Sequence, residues 1–394
     1  SIALKFVIDR EKEINAFKPE EYWSIDADFV DGKKVFQGSF YGVDGKKKEL
    51  KNDQEVKEIL QSLSKRKNFT IENVVKKERR RQPAPPFTTS SLQQEANKRL
   101  NYKTRKTMMI AQQLYEGINL GKEGTVGLIT YMRTDSKRIS EQAKHEASSF
   151  IHEEFGGEFA RVKPQAVKNQ EGAQDAHEAI RPSSVYRTPE SLKEILTRDQ
   201  LRLYQLIWSR FVASQMTAAV YDTVRADINQ NGVTFRTTGS KIKFEGFTKV
   251  YKITEGKDAK NAALPDLTDG QTVKMKADNP EQHFTQPPAR YTEASLVKTL
   301  EENGVGRPST YAPTIDTIQK RYYVKLEGKS FVPTELGEIV DDIIEKYFPD
   351  IVNIDFTAQL ETDLDSVEEG QKNWIKIVDE YYQPFAKELK KADE

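Results

Sequence analysis

The chain has 394 residues, 37% of them hydrophobic, 10% aromatic and 31% charged, and its 61 basic side chains balance 61 acidic ones. That length exceeds one ordinary core, so two to four domains are expected. No stretch reaches the roughly 18 apolar residues of a membrane span, the start carries no signal pattern, and there is no cysteine for disulfides, thiolate chemistry or thiolate-held zinc, so a soluble cytoplasmic protein is expected.

The chain begins at Ser1, without Met, inside an apolar pattern (Ile2, Leu4, Phe6, Val7, Ile8) that reads as helix or strand, and a fragment of a longer protein is expected. From Trp23 to about Lys48 apolar and polar residues alternate around Asp31-Gly32 and Asp44-Gly45, the pattern of antiparallel hairpins. A helix is expected near Asp53–Lys65 and a strand over Phe69–Arg80, stopped by Pro83-Ala-Pro-Pro86. Helices follow, the first capped by Ser90 or Ser91 and the second carrying Met108, Ala111 and Leu114. Gly124–Tyr131 reads as a short buried strand, and helices resume near Ser140–Phe155, Ser191–Leu196 and Asp199–Val220. Strands are expected over Thr223–Asn229, Val233–Ser240, Phe247–Ile253 and Val273–Ala277, with Asn231-Gly232 as a hairpin turn and the polar Glu255–Asn261 as a loop. Past Gln286-Pro-Pro-Ala289 the pattern is helical over Glu293–Glu302, Ser309–Arg321, Thr334–Tyr347 and Phe356–Glu369, with one Lys325–Val332 hairpin.

This alternation of helical and β segments implies a mixed α and β, multidomain fold. A β-rich domain, 25–89 with 218–290, is visited twice and interrupted by a helical insertion, 90–217. The chain ends, 1–24 and 291–394, complete an outer helical domain. Charge is unevenly spread: ten Lys and Arg against three Glu between Ile71 and Ile110, and twelve acidic residues against one Lys between Glu335 and Gly370. Such asymmetry permits a nucleic-acid face, and it equally suits solvated surface.

Three segments carry chemistry. In Gly127-Leu-Ile-Thr-Tyr-Met-Arg-Thr-Asp-Ser136, Tyr131 leaves a rigid apolar element, which aims it outward as a nucleophile must be. A phenol, titrating near about 10, needs a neighbouring cation, and the fork of Arg133 can hold a phosphate oxygen. With 16 tyrosines in the chain, a core or rim role is the simpler account of this segment alone. In Asp175-Ala-His-Glu-Ala-Ile-Arg-Pro182, His177 and Arg181 would share a face if the turn is helical; beside a phosphate they would fix it, and otherwise they are structural. In Thr292–Tyr311 a helix stops at Asn303-Gly304 and a second is entered through Pro308, and the hairpin beyond completes a winged helix-turn-helix outline. Arg307, Ser309 and Thr310 then sit at a helix N-terminus that favours phosphate, although a protein-packing helix pair fits as well.

Taken together, "GLITYMRTDS", "DAHEAIRPS" and "RYTEASLVKTLEENGVGRPSTYAPTIDTIQKRYYV", with "RKTMMIAQQLYE" and "FTAQLETDLDSVEEG", resemble the bacterial-type type IA DNA topoisomerases from residue 1 almost to the end. The resemblance implies a toroidal core in which helical domains are joined by a β-rich arch around a DNA-sized hole. It implies an ATP-independent enzyme that cuts one DNA strand through a 5′-phosphotyrosine link, passes another strand and reseals, relaxing negative supercoils. By position it makes Tyr131 the nucleophile, Arg133 the transition-state cation and His177 a phosphate ligand, with Arg181, Arg307, Ser309, Thr310 and Arg321 as DNA-binding candidates. Its partners would be a single-stranded DNA segment and a passing strand, with no membrane, and the protein a monomer.

Members of this family begin with an acidic metal-binding (Toprim) domain that holds magnesium; no such segment precedes Ser1, so no cofactor is expected in this chain and Mg2+ is expected in the parent. Asp26-Ala-Asp28 and Asp363-Leu-Asp365 imitate its acidic motif, but the first lies on an exposed strand face and the second on an acidic helix, and neither is expected to bind metal. The chain alone is expected to be inactive in relaxation. Two other readings stay open: a noncatalytic single-stranded DNA-binding module, and a tyrosine recombinase, which the mid-chain position of Tyr131 disfavours.

Overall fold

The computed structural model describes residues 1–161, 177–253 and 264–393. They form two compact units. One comprises Phe17–Pro83 and Met216–Pro287, the other Ser1–Ala16, Ala84–Gln215 and Pro288–Glu394.

The first unit is a seven-stranded antiparallel sheet of β1 (Glu21–Asp31), β2 (Lys34–Val43), β3 (Lys46–Lys47), β4 (Asn68–Arg81), β7 (Ala219–Gln230), β8 (Val233–Phe244) and β9 (Thr272–Phe284), in the order β1-β9-β4-β7-β8-β2-β3. Because β1 pairs with β2 as well as β9, the sheet closes on itself. Period-two alternation drives this: Ile25, Ala27 and Phe29 are buried while Asp26 and Asp28 face away. Phe29 lies at the centre of the core, with Phe36, Phe69 and Phe235 ring centroids 5.3–5.9 Å away. Helix α2 (Asp53–Ser62), capped by the Asn52 side chain, adds Val56 and Ile59 to the same core. Asn231 and Gly232 both take positive φ at the β7–β8 turn, as an Asn-Gly hairpin requires.

Two expectations in this unit need correction. Phe247–Ile253 is not a strand: residues 246–249 form a 3-10 turn, because Gly246 has φ +53° and a Cβ there would lie 2.3 Å from the Ala218 carbonyl oxygen. The strand expected to end at Ala277 runs on to Phe284, since polar Asp278–Phe284 pairs with Glu21–Ala27 of β1. Pro280 is tolerated there because β4 pairs with β9 only at residues 272–274, leaving one edge open. The expected loop at 255–261 lies outside the described residues.

The second unit is mainly helical. Helix α1 (Ile2–Ala16) buries Ile2, Leu4, Val7 and Ile8 against α7 (Glu293–Glu302), α8 (Tyr311–Lys320) and the hairpin β10 (Val324–Glu327) and β11 (Ser330–Pro333). The helix-turn-helix and its wing are where the spacing places them. Helices α3 (Thr89–Leu100), α4 (Thr104–Glu116), α5 (Glu141–Glu154) and α6 (Arg198–Ser214) form the inserted segment, with the two-residue strands β5 (Ile118–Asn119) and β6 (Thr125–Val126) between α4 and α5. Asn97 of α3 accepts the Ala294 N–H at 3.1 Å, tying the insertion to the start of α7. The helix expected at Ser191–Leu196 is only a 3-10 turn, Glu190–Leu192. Helices α9 (Glu335–Tyr347), α10 (Ile354–Glu368) and α11 (Trp374–Asp393) close the chain.

Candidate active site around Tyr131

The stretch before Tyr131 is a strand only at Thr125–Val126. Beyond it Gly127 passes so close to α4 that a Cβ would lie 2.7 Å from the Tyr115 carbonyl oxygen. The backbone then finds partners outside any sheet: Leu128 N–H donates to Leu114 at 2.8 Å, and Thr130 N–H to Arg181 at 2.9 Å. Leu128, Ile129 and Met132 are buried, whereas Tyr131 keeps 45% of its surface exposed. The tyrosine thus leaves a pinned backbone and faces outward.

Helix α4 supplies the neighbours. Its residues Gln112, Tyr115 and Glu116 share one face by their spacing. Gln112 donates to Glu116 at 2.7 Å and accepts from the Arg133 guanidinium at 3.4 Å. The Tyr115 ring packs against that of Tyr131, centroids 5.3 Å apart at 66°. From the other side, the Thr89 hydroxyl at the start of α3 donates to the Met132 carbonyl at 2.6 Å and accepts the Thr134 N–H at 2.8 Å. Thr89 is fully buried, so these bonds are shielded from water.

The segment from His177 to Pro182 runs alongside. It is extended rather than helical, so His177 and Arg181 do not share a helix face: Thr130 donates to the Ala179 carbonyl at 2.7 Å, and Ile129 and Pro182 form a bridge. Ala179 N–H donates to Arg138 at 2.8 Å, which stitches the segment to the chain just past Tyr131. His177 itself is exposed. Arg181 has only 13% of its side chain exposed, and it donates to Glu178 at 2.8 Å and to the Pro182 carbonyl at 3.1 Å. Burial opposes ionisation of Glu178, but the bonds from Arg181 and from the Ser140 N–H hold its carboxyl below the usual range.

At the α7–α8 turn, Arg307 is held by Asp365 at 2.8 Å and Glu361 at 3.2 Å, both on α10, and by the carbonyl of Gly306 at 2.7 Å. Burial works against its charge, but Asp365 and Glu361 more than compensate. Ser309 and Thr310 are exposed, and the Thr310 hydroxyl accepts the Arg307 N–H at 2.9 Å. Arg321 sits at the opposite end of α8, about 15 Å along a ten-residue helix, so it is not gathered with Arg307, Ser309 and Thr310.

Comparison with known proteins agrees with this architecture. A DNA topoisomerase family model matches residues 1–379. A solved structure of full-length topoisomerase I from Thermotoga maritima is 39% identical, superposes with a TM-score of 0.85 and covers 98% of this chain. The chain belongs to the bacterial type IA DNA topoisomerase I family. It spans 61% of the Thermotoga chain. The mixed α and β architecture is that of a type IA topoisomerase core, and no described helix is long and apolar enough to cross a membrane.

Of the carboxylates that imitate a magnesium motif in this chain, Asp363 and Asp365 are each already neutralised by a cation, and Asp26 accepts a hydroxyl. Asp363 is taken by Lys372 at 2.7 Å and Tyr381 at 2.9 Å, Asp365 by Arg307, and Asp26 accepts from Ser39 at 2.6 Å. Among the described residues, Asp341, Asp342 and Glu345 form a further acidic cluster, but Lys5 lies 3.5 Å from Glu345 and supplies its counter-charge. Reasoning from sequence missed Thr89, Gln112, Tyr115 and Glu116. The spacing of the last three was legible, but the face of α4 that meets Tyr131 is set by tertiary packing.

Proposed function

We propose that this chain is the DNA-cleaving body of a type IA topoisomerase that changes DNA linking by cutting and resealing one strand without ATP. The observation that carries the reading is Tyr131: an outward phenol on an immobilised backbone, two residues from a guanidinium whose fork is steered by Gln112. In the reaction the Tyr131 oxygen attacks a backbone phosphorus and gives up its proton. The bond to the 3′ oxygen breaks, that oxygen takes a proton, and the phosphate stays on Tyr131 through its 5′ side. Arg133 offsets the charge that builds on the non-bridging oxygens. The phosphotyrosine ester conserves the energy of the broken bond, so resealing needs only the reverse attack. Magnesium, and the acid that protonates the leaving oxygen, would come from the metal-binding domain that the family resemblance implies. A separated strand crosses the open break before resealing, and negatively supercoiled DNA is the substrate because it unpairs most readily. His177 and the α7–α8 turn hold the strand by its phosphates, and the protein acts in the cytoplasm as a monomer.

By itself the 394-residue chain binds single-stranded DNA, with the salt dependence of phosphate contacts, and does not relax plasmid. The test joins the chain to its metal-binding domain and maps the covalent adduct on an end-labelled oligonucleotide. The expected result is a 5′-phosphate linked to Tyr131, absent in Tyr131→Phe. A 3′ linkage would point to recombinase chemistry, and relaxation by the 394 residues alone would overturn the division of labour.

A further inference from the structure

Tyr131 sits on irregular backbone, and nearly half its surface faces solvent. An exposed tyrosine ordinarily samples about three χ1 wells, each throwing its oxygen to a different place. Among the described residues, the ring packed against it is that of Tyr115, at 5.3 Å and 66°, an edge-to-face contact. Tyr115 stands on the last turn of α4, where its position is fixed twice over. Leu114 accepts the Leu128 N–H, and Gly127 admits the Tyr115 carbonyl where any side chain would collide. The helix therefore holds the backbone of Tyr115 in a constant relation to the backbone that carries Tyr131, and the two half-exposed rings, 40% and 45% accessible, restrict each other through their edge-to-face contact.

From this geometry we infer that Tyr115 is a positioning residue for the Tyr131 nucleophile, selecting the ring orientation that aims the phenol oxygen at a bound phosphodiester. This rests on the assignment of Tyr131 as nucleophile. Its consequence is directional. Before cleavage the Tyr131 ring is free and the contact matters; after cleavage the phosphate bond holds the ring and the contact is redundant. Loss of Tyr115 slows cleavage and spares religation, so the ratio of cleaved to uncleaved DNA at equilibrium falls by the same factor as the cleavage rate.

The test uses the enzyme with its metal-binding domain, saturated with a labelled single-stranded oligonucleotide. Tyr115→Ala and Tyr115→Leu are expected to cleave roughly 10-fold more slowly, since a misplaced reacting atom is costly even when binding is intact. Affinity and religation from preformed adduct stay at parent values, and Tyr115→Phe, which keeps the ring, cleaves near the parent rate. In the 394-residue chain with 13C-labelled tyrosine rings, the Tyr131 signals, identified by their loss in Tyr131→Phe, shift in Tyr115→Ala. Cleavage at the parent rate in both ring-deleted variants overturns the inference. So does weakened affinity with normal cleavage at saturation, which makes Tyr115 a base-stacking residue, and so does equal slowing of both directions. A Tyr131→Phe enzyme that still forms adduct defeats the nucleophile assignment itself, whatever Tyr115 does.

Discussion

Thr89 and Thr134 exchange backbone and side-chain hydrogen bonds: Thr89 N–H donates to the Thr134 carbonyl at 2.9 Å, and the Thr89 hydroxyl accepts the Thr134 N–H at 2.8 Å. The turn after Tyr131 is thereby fastened to the first residue of α3. Thr89→Val keeps the shape and removes the hydroxyl, leaving the Thr134 N–H and the Met132 carbonyl without a buried partner. It should cost about 1–3 kcal/mol in urea unfolding, whereas Thr89→Ser should restore most of that. Equal stability of Thr89→Val and the parent would mean that the turn does not depend on this hydroxyl.

Arg133 separates binding from chemistry. In the chain joined to the proposed metal-binding domain, Arg133→Ala should retain most DNA affinity but lose roughly 10²–10³ in cleavage rate, because on the proposed mechanism one preorganised charge is removed from the transition state. Arg133→Lys should recover only part, since a point charge replaces a fork. Single-turnover cleavage with affinity measured separately decides it. Parent-rate cleavage by saturated Arg133→Ala would reduce Arg133 to a binding residue.

Much of this architecture is written in local chemistry. Asn231-Gly232 announces a hairpin by itself, and alternation from Trp23 onward announces β1 and β2. The outward aim of Tyr131 was legible from the apolar run that ends at it, and the structure leaves 45% of its surface exposed; its role as nucleophile came only from the resemblance of the surrounding motif. What failed were features decided across distance. The polar half of β9 is a strand because β1 lies next to it, and the apolar Phe247–Tyr251 run is a turn because the Ala218 carbonyl crowds Gly246. Arg181 and Glu178 stand three apart and signal a local ion pair, yet on extended backbone that spacing carries no helical face. The partners of Arg307 lie 54 and 58 residues away on α10, beyond any local pattern.

Asp341 predicts a pH effect. It is 1% exposed, one of its carboxylate oxygens lacks a partner, and burial together with nearby Glu345 and Asp9 pushes its pKa up to about 6. A carboxyl raised in the folded state favours folding fully below its unfolded pKa and loses that contribution as pH rises through about 6. Charged Asp341 is therefore a burden at neutral pH. Asp341→Asn should raise stability at pH 7 by on the order of 1–3 kcal/mol, and the gain should vanish in denaturation at acid pH, where the parent carboxyl is protonated. A gain that persists unchanged in acid would assign the effect to packing.

Arg307 cannot grip a DNA phosphate without leaving an anion it already holds. Asp365 takes its Nη2 at 2.8 Å and Glu361 its Nη1 at 3.2 Å, while Glu361 also accepts the Gly306 N–H at 3.1 Å. On the proposed role of Arg307, strand binding exchanges a carboxylate for a phosphate on the same guanidinium, so that the carboxylate competes with DNA. Asp365→Asn removes the stronger competitor and leaves Glu361 to hold the turn. It should tighten binding of single-stranded DNA by the 394-residue chain at low salt. Arg307→Ala should weaken binding and flatten the plot of log affinity against log salt by about 0.7, the share of one phosphate contact on a single strand. Fluorescence anisotropy across a salt series measures both, and thermal melting establishes that the turn is intact. If Asp365→Asn melts like the parent but binds no more tightly, and Arg307→Ala leaves the salt slope unchanged, Arg307 braces α10 and another cation holds the strand.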